Sequence, residues 1–542
     1  MRMTNFSTLF TLLLLIPATL FAQVKLSDEF SISLGTPYNV VDARSKEYRS
    51  VGDNHVVSVK TAGAKVTVQL FNLNENKEIS RTDYEDFPKY SKVQEVIQLA
   101  GKLFYIFEAY NKPDKTFSVY SREVNTSTGK FNDAQKLFTT KMVVVNTKSV
   151  IGMYAGGGFG AQGMYVPKKF EVFTSSDQSK LLIRFRNKPL SKSDAINFDI
   201  LGFYVFDSSM KKIWGHEVKM PHTEKQMNNL AYSVTKDGVA CMLAYLNESK
   251  SFELITVDES GTLKQNKLDI NGELIFQKFY MIEDPDGNMN CAGYYANGYD
   301  FKVNWTGSSS ISFNTNGIYQ FKTDLKGDIV ETHDFDFSKE FIDLNASERQ
   351  RKNNAKREAG GKGGMPDLKM LEFFQQADGS VIFVGEQSWN KEEMWMMSKT
   401  QVFHYAHVVV TKINKDGEMV WQRKIAKDQA GVAGKGSMSI KYMNSENAHY
   451  IVFLDNEKNA HINFKTPPEK HKDGLGGILT AVKIDDETGV PERHSVLDPK
   501  DLDGKQLHQF NPSRIFHVSG NVFALEAYLK EKKDGMVKMT IK

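Results

Sequence analysis

The sequence has almost no excess of positive over negative charge. Its 542 residues carry a formal net charge of only +3. So small an excess produces no overall electrostatic field that would draw the protein to nucleic acid or to an anionic membrane. The composition therefore predicts no nucleic-acid partner.

Cysteine is also scarce. The two cysteines, Cys241 and Cys291, lie in strand-like runs, ACMLAY and NCAGYY, one repeat apart. Equivalent positions in neighbouring sheets are normally too far apart for a disulfide. We expect two buried thiols, with a disulfide as the alternative in an oxidising compartment.

Long apolar runs are missing except at the N-terminus. There Arg2 supplies positive charge, residues 9–20 are largely apolar, and Ala22 precedes Gln23. This is the pattern of a cleaved signal peptide, although Leu20 is larger than the small residue usual at its position. An uncleaved anchor is the alternative, but the run is short for a membrane span. We predict a signal peptide over residues 1–22 and an exported mature chain without a transmembrane segment, located in the periplasm, on the cell surface or in the medium.

Residues that favour β structure are abundant. Hydrophobic residues make up 40% of the chain and aromatic residues 11%, and many of the others are β-branched. The central stretch predicts strands at 369–376, 380–387, 407–413 and 418–425, with Asp-Gly turns between the members of each pair. Both faces of 407–413 are largely apolar, which is typical of a strand between neighbouring sheets.

Two sequence elements recur along the chain. In the first, an Asp or Asn ends one strand and a Gly follows three or four residues later. Its copies are Asn125/Gly129, Asp258/Gly261, Asp324/Gly327, Asn414/Gly417 and Asp485/Gly489, with a variant, Asp207/Met210, that lacks the glycine. The strands that follow two of these turns end alike, in KKIW and EMVW. Trp214 and Trp421 are therefore predicted to fill equivalent spaces between sheets.

The second element is a turn residue, an apolar strand, and then small residues before an aromatic. Its copies begin near residues 55, 102, 180, 239, 288, 380, 448 and 521. Small residues suit a crowded position, so we expect these to be the inner strands of their units, next to a central axis.

Eight units predict an all-β propeller of eight blades, each a four-stranded antiparallel meander. Seven blades is the alternative if one unit is miscounted, and two tandem smaller propellers or stacked sandwiches are the others. The last unit is too short for a full blade, and residues 29–35 have no other partner. We expect this N-terminal strand to complete the last blade and close the ring.

Four insertions interrupt the single domain predicted over 23–542. Residues 151–167 are rich in glycine, and 388–405 lie at a hairpin tip. Residues 464–477 form a polar loop. In the fourth insertion, 338–366, the first twenty-odd residues are predicted to be helical, with Ser338 as the N-cap.

Part of the chain resembles a known group of proteins. The residues that carry the resemblance are DGSVIFVGEQ…HVVVTKINKDGEMVWQRKIAKDQ, the upstream run RKNNAKREAGGKGG and the downstream run YIVFLDNEKN. They are similar to an uncharacterised family of exported bacterial propeller-like proteins, mainly over the C-terminal half. The resemblance implies the fold and export. That family has no established activity, so it implies no catalytic residues.

Motifs that would indicate a cofactor or a metal are incomplete. The GGGFG run lacks the Lys-Ser/Thr that a phosphate-binding loop requires. His404 and His407 are three residues apart in a strand, which places them on opposite faces. The acidic run at 284–290 lacks the ligand order of a calcium loop, so we interpret it as a hairpin turn. We predict no cofactor and no metal site.

Catalytic motifs are equally weak. Glu108 and Glu526 could flank a glycosidic bond. Both, however, begin a Glu-Ala-Tyr sequence at the end of a copy of the second element, and this recurrence favours a structural role. No G-x-S-x-G sequence is present. The basic stretch at 349–362 is interpreted as a solvated helix and linker, with a nucleic-acid or lipid patch as the alternative.

One aromatic cluster is the candidate contact site. Trp389, Trp395 and Tyr405, with Met394 and Met396, lie in the predicted hairpin tip. Exposed aromatics at such a tip can stack on sugars or anchor a protein partner. The alternative is that the hairpin packs against a neighbouring loop.

The sequence favours a non-catalytic binding or scaffold protein over an enzyme, with an unknown protein or glycan as its ligand. A carbohydrate-active hydrolase or lyase on a propeller scaffold and a structural component of an envelope complex are the alternatives.

Overall fold

The structure is a computed structural model. It describes residues 25–141, 143–144, 168–189, 193, 195–270, 274–303, 309–395, 398–432, 438–445, 447–473 and 476–542. The predicted cleavage site and the glycine-rich segment 151–167 lie outside these residues.

The described residues form thirty-eight strands. The first are β1 (Phe30–Leu34), β2 (Tyr38–Asn39), β3 (Ser45–Ser50), β4 (His55–Ala62), β5 (Lys65–Asn72), β6 (Lys77–Tyr84), β7 (Ser91–Leu99), β8 (Lys102–Asn111), β9 (Thr116–Asn125), β10 (Lys130–Phe131), β11 (Gln135–Lys141), β12 (Val143–Val144), β13 (Phe170–Thr174), β14 (Lys180–Asn187), β15 (Phe198–Asp207), β16 (Lys212–Thr223), β17 (Met227–Val234), β18 (Ala240–Leu246), β19 (Ser251–Val257) and β20 (Leu263–Leu268). The others are β21 (Ile275–Glu283), β22 (Met289–Val303), β23 (Ser309–Thr323), β24 (Ile329–Asp336), β25 (Met365–Pro366), β26 (Leu368–Gln375), β27 (Val381–Trp395), β28 (Ser398–Ile413), β29 (Met419–Ile425), β30 (Gln429–Val432), β31 (Lys441–Asn444), β32 (Ala448–Asp455), β33 (His471–Lys472), β34 (Ile478–Asp485), β35 (Pro491–Leu497), β36 (Phe516–Ser519), β37 (Val522–Lys530) and β38 (Lys533–Ile541).

These strands pair into eight sheets, the blades of the propeller. Blade 1 contains β3–β6, blade 2 β7–β11, blade 3 β12–β16, blade 4 β17–β20, blade 5 β21–β25, blade 6 β26–β30 with β33, blade 7 β31, β32, β34 and β35, and blade 8 β36–β38 with β1 and β2. Eight clusters of buried apolar side chains each join two neighbouring blades, including blades 8 and 1. The blades therefore form a closed ring, and the prediction of eight blades is confirmed.

The central stretch shows why the sequence builds this ring. Val409 lies in the core between blades 5 and 6, whereas Val408 and Val410 lie in the core between blades 6 and 7. Alternate side chains of β28 therefore pack on opposite neighbours. Both faces of a blade strand must be apolar for this reason.

The recurring Asp/Asn–Gly element is the turn from the third to the fourth strand of a blade. In all five copies the glycine N–H donates to the carbonyl oxygen of the Asp or Asn at 2.9–3.2 Å, and the glycine φ lies between 65° and 91°. Glycine adopts this conformation without a steric penalty. In the variant, Met210 takes the same position with φ 61°.

The predicted inner strands are in fact the second strands of their blades. The first strands of neighbouring blades lie against one another, as β3 does against β36 and β17 against β21, so they surround the axis. The small residues of the second strands serve contacts between blades. At Gly385 of β27, for example, a Cβ would overlap the hydroxyl of Tyr294 in blade 5.

The N-terminal strand closes the ring as predicted. Strand β1 pairs antiparallel with β38, with Phe30 opposite Ile541 and Leu34 opposite Val537. Phe30 is 7% exposed and belongs to the core between blades 7 and 8. Blade 8 thus takes its outer strand, β1, from the N-terminal part of the chain and β36, β37 and β38 from the C-terminal part.

Two helices lie between β24 and β25 of blade 5, in the stretch of chain that leads towards blade 6. Helix α1 (Lys339–Asp343) is capped by Ser338, as predicted, and α2 (Glu348–Ala359) begins after a capping box formed by Ser347 and Gln350. The predicted single helix is therefore interrupted between residues 343 and 348. Short 3-10 turns occupy Glu457–Asn459 and Pro512–Arg514.

Cys241 and Cys291 are free, buried thiols in the core between blades 4 and 5. Burial raises the pKa of Cys241 to about 12. In the described part of the chain, no helix combines the length and the apolar character needed to cross a membrane.

Candidate binding face

The two ends of the blades differ in the length of their connections. At one end, short turns join first to second strands and third to fourth strands. At the other end lie the connections from second to third strands and those between blades. We call this end the loop face, because it carries both helices, the long hairpin of β27 and β28, and the segment between β32 and β34.

The helical insertion is fixed to the loop face by buried polar contacts. Lys424 Nζ of β29 donates to the carbonyl oxygens of Ile342 at 2.8 Å and Leu344 at 2.7 Å, and so caps the C-terminal end of α1. Burial lowers the pKa of Lys424 to about 7. Asn345 Nδ2 donates to the carbonyl oxygen of Phe464 at 2.5 Å. Two insertions that are far apart in sequence therefore form one continuous surface over blades 5–7.

Helix α2 is largely exposed, with only Asn354 and Arg357 partly covered. None of its side chains is buried, and its sequence holds five basic and two acidic residues. Arg357 Nε lies 3.5 Å from Asp300 Oδ2 of the neighbouring hairpin. The basic stretch is thus a solvated helix that lies across the loop face.

The candidate residues Trp389, Trp395 and Tyr405 share one hairpin but differ in exposure. The hairpin is a direct extension of β27 and β28, so most of 388–405 is paired strand. Trp389 is half-buried, and its ring stacks on His404 with centroids 5.0 Å apart and planes inclined by 3°. Trp395 ends β27, and its side chain lies outside the described structure. Tyr405 is 9% exposed, contrary to the expected exposure, because it packs with Phe403 and Met438.

Below this hairpin lies a buried polar cluster that the sequence did not predict. Lys427 Nζ is 2.7 Å from Glu386 Oε1, and both side chains are fully buried. Lys427 also donates to the carbonyl oxygen of Tyr405 at 3.1 Å and to Gln429 Oε1 at 2.8 Å. Ser439 Oγ donates to Glu386 Oε2 at 2.6 Å. Each of the two buried charges is compensated by the other and by hydrogen bonds. These contacts hold in place the chain that leads from blade 6 to blade 7.

The carboxylates Glu108 and Glu526 both lie on the second strands of their blades, as their recurrence predicted. Lys169 Nζ lies 2.9 Å from Glu108 Oε1, and Lys46 Nζ lies 2.7 Å from Glu526 Oε1. Each lysine comes from the next blade. Blades 2 and 8 are not neighbours, and both carboxylates are held by lysines between blades rather than facing one another.

Two other motifs can be placed. Residues 284–288 form a hairpin turn in which Gly287 N donates to the Asp284 carbonyl oxygen at 3.0 Å. Among the residues described, no group of three or more His, Cys, Asp and Glu side chains is arranged to hold a metal ion. His404 and His407 are both buried, and burial lowers the pKa of each.

We expect the loop face to lose stability in acid because of its buried histidines. Burial, and then nearby lysines, lower the pKa of His404 and of His471 from 6.5 to about 4. At a pH between about 4 and 6.5, these two histidines bind protons in the unfolded chain but remain largely neutral in the folded chain. Stability present at pH 7 is therefore lost as the pH falls from 6.5 to 4, by ~1–3 kcal/mol for each histidine. Urea denaturation at pH 7 and at pH 4.5 measures this loss.

His471→Gln should reduce the difference in stability between the two pH values. His461→Gln is the matched control, since His461 is exposed in the same segment between β32 and β34. An equal effect of the two substitutions would show that burial of His471 does not cause the loss of stability in acid.

Comparison with known proteins adds little to these observations. The chain matches no known protein family, and no curated protein sequence matches it. Solved structures similar to it include an uncharacterised protein from Listeria monocytogenes, with 10% identity over 82% of this chain and 91% of that chain and a TM-score of 0.36. The β-propeller domain of the trilobed protease from Pyrococcus furiosus has 12% identity over 86% and 98%, with a TM-score of 0.34. An oligogalacturonate lyase in complex with manganese has 9% identity over 84% and 97%, with a TM-score of 0.31.

Proposed function

We propose that this chain is an exported, non-catalytic binding or scaffold protein of the bacterial periplasm or cell surface. Its ligand is a protein or a glycan that docks on the loop face. The observation that carries the proposal is the asymmetry of the ring: the long insertions collect at one end of the blades. Loops placed on a rigid scaffold are where binding residues concentrate.

The contacts within the loop face support binding by a preformed surface. The cap of α1 by Lys424 and the bond from Asn345 to Phe464 join elements of blades 5, 6 and 7. Trp389 stands on this surface with its ring supported by His404. An aromatic ring held in this way offers contact area at a low entropic cost on binding.

The carboxylates favour binding over glycoside hydrolysis. Glu386, Glu108 and Glu526 each pair with a lysine inside the ring. A hydrolytic pair would have to flank a substrate with one carboxyl group protonated. Neutralisation by buried or partly buried lysines inside the ring instead supports a structural role for these groups. Export is supported by the sequence of residues 1–22 alone.

A binding screen tests the proposal directly. Protein purified from a periplasmic fraction should begin at Gln23, and it would be applied to a glycan array and to fractionated envelope proteins. For a ligand found in this way, Trp389→Ala should weaken binding at least about tenfold, as expected for an aromatic anchor.

Val490→Ala provides the control, because Val490 is 60% exposed at the opposite end of the blades. Equal loss of affinity in both variants would place the ligand elsewhere. Conversion of an array glycan into products would establish the hydrolase or lyase alternative.

A further inference from the structure

Four charged side chains meet where the ring closes between blades 8 and 1. Lys46 and Lys60 come from β3 and β4, and Glu526 and Asp534 come from β37 and β38. Their side chains are 17%, 0%, 5% and 3% exposed, respectively. The two halves of the cluster thus come from opposite ends of the chain and meet in a nearly dry site.

Glu526 lies at the centre of the cluster. Its Oε1 is 2.7 Å from Lys46 Nζ, while Oε2 accepts from Lys60 and from the Tyr38 hydroxyl, the latter at 2.7 Å. Lys46 Nζ is also 3.6 Å from Asp534 Oδ2. Within the described part of the chain, that buried oxygen has no hydrogen-bond partner. An amine, a carboxyl group and a proton acceptor that touches the amine are therefore in place.

We propose that Lys46 and Asp534 condense into an intramolecular amide bond, with Glu526 as the group that carries the proton. The bond would join blade 1 to blade 8 and close the ring covalently. It would make this cluster a site of self-modification, in addition to any binding on the loop face.

The protonation preferences suit this chemistry. Burial, and then the nearby charge of Glu526, raise the pKa of Asp534 to about 6, so its carboxylic acid form is more accessible near neutral pH than that of an ordinary aspartate. Burial alone would raise the pKa of Glu526 too, but Lys60 and Lys46 lower it to about 2, which keeps it a carboxylate. A carboxyl group with a raised pKa thus lies beside a carboxylate that accepts a hydrogen bond from the Lys46 ammonium and is placed to receive its proton.

The step balances without any co-reactant. The Lys46 ammonium gives a proton to Glu526, and the neutral Nζ attacks Cγ of the protonated Asp534. The N–Cγ bond forms, and the tetrahedral intermediate loses one nitrogen proton to solvent. The Cγ–OH bond then breaks as the hydroxyl takes a proton back from Glu526, which returns to its carboxylate form. One water molecule and one proton leave, and no atom is oxidised or reduced.

Tryptic digestion of the purified, denatured chain tests the proposal. Trypsin cleaves after Arg44, Arg49, Lys533 and Lys538 but not after a lysine whose amine is in an amide. The expected product is SKEYR joined to DGMVK, with the mass of both peptides less one water. Release of EYR together with unlinked DGMVK would show a free Lys46 amine and overturn the proposal.

Matched controls lie in the same chain. Lys169 pairs with Glu108 without a second carboxylate among the described contacts, so trypsin should cleave after Lys169. Asp534→Ala should remove the joined peptide, and Glu526→Gln, which leaves a side chain of the same shape that takes up no proton, should do so too. A joined peptide that persists in Glu526→Gln would overturn the role of Glu526.

Discussion

Replacing Trp421 by alanine is expected to lower the free energy of unfolding by ~3–5 kcal/mol, the usual cost of truncating a buried tryptophan. Trp421 is 4% exposed in the core between blades 6 and 7. Its ring lies against Gly489, and Nε1 donates to the carbonyl oxygen of Asp486 at 2.9 Å. The substitution would leave a cavity at one interface of a closed ring and would remove one of the two hydrogen bonds to this carbonyl, the other coming from Lys412 Nζ at 3.3 Å. Its effect should therefore spread to both blades.

Urea denaturation followed by circular dichroism measures this loss. Val420→Ala is the control, since Val420 precedes Trp421 and is 42% exposed. Surface substitutions of this kind usually stay within about 0.5 kcal/mol. Ligand binding on the loop face should persist in the folded fraction of the Trp421 variant. Equal stability of the two variants would mean that the indole does not fill the interface.

Trp214 occupies the same position in blade 3 as Trp421 does in blade 6, as the sequence predicted. Trp214 is 6% exposed in the core between blades 3 and 4, and its Nε1 donates to the carbonyl oxygen of Gly238 at 2.9 Å. Both indoles therefore bond to a turn of the following blade. The sequence could predict this shared role because the residues that set each turn and each tryptophan are local to one repeat.

Positions that depend on distant partners could not be predicted in the same way. Small residues such as Gly385 suggested a place at the axis, yet the side chain that requires the glycine is Tyr294 of another blade. The extension of β27 and β28 was hidden because its tip is polar and pairs only within the hairpin, whereas residues 402–405 also pair with β30, which follows later in the chain. Strand pairing, rather than an apolar pattern, defines the tip.

The candidate site was predictable only in part for the same reason. Trp389 was selected from its residue type, but its stacking on His404 depends on the register of the hairpin. Glu386 could have been noticed as a charge within an apolar strand. Its partners Lys427 and Ser439 lie in a connection whose path no local pattern reveals.

Deleting the N-terminal strand is expected to destabilise the ring where blade 8 is completed. A chain that begins at Thr36 loses β1, and with it Phe30 from the core between blades 7 and 8. Loss of the Phe30 side chain alone would cost ~3–5 kcal/mol. The deletion also exposes one edge of β38, whose buried residues include Met536 and Val537. Such an edge pairs with other chains, so the truncated protein should melt well below the chain that begins at Lys25 and should aggregate.

Adding β1 back as a separate peptide tests whether the loss of stability comes from the missing strand itself. A peptide of residues 25–36 should restore the melting temperature and solubility of the truncated chain, because β1 pairs with β38 without a covalent connection to blade 8. In β1, Phe30, Ile32 and Leu34 face the core side and alternate with exposed serines. A peptide with alanine at those three positions keeps every backbone donor and acceptor but loses the buried side chains. It should therefore fail to restore either property. Unchanged melting of the truncated chain, or equal rescue by both peptides, would show that apolar packing by this strand does not hold the ring closed.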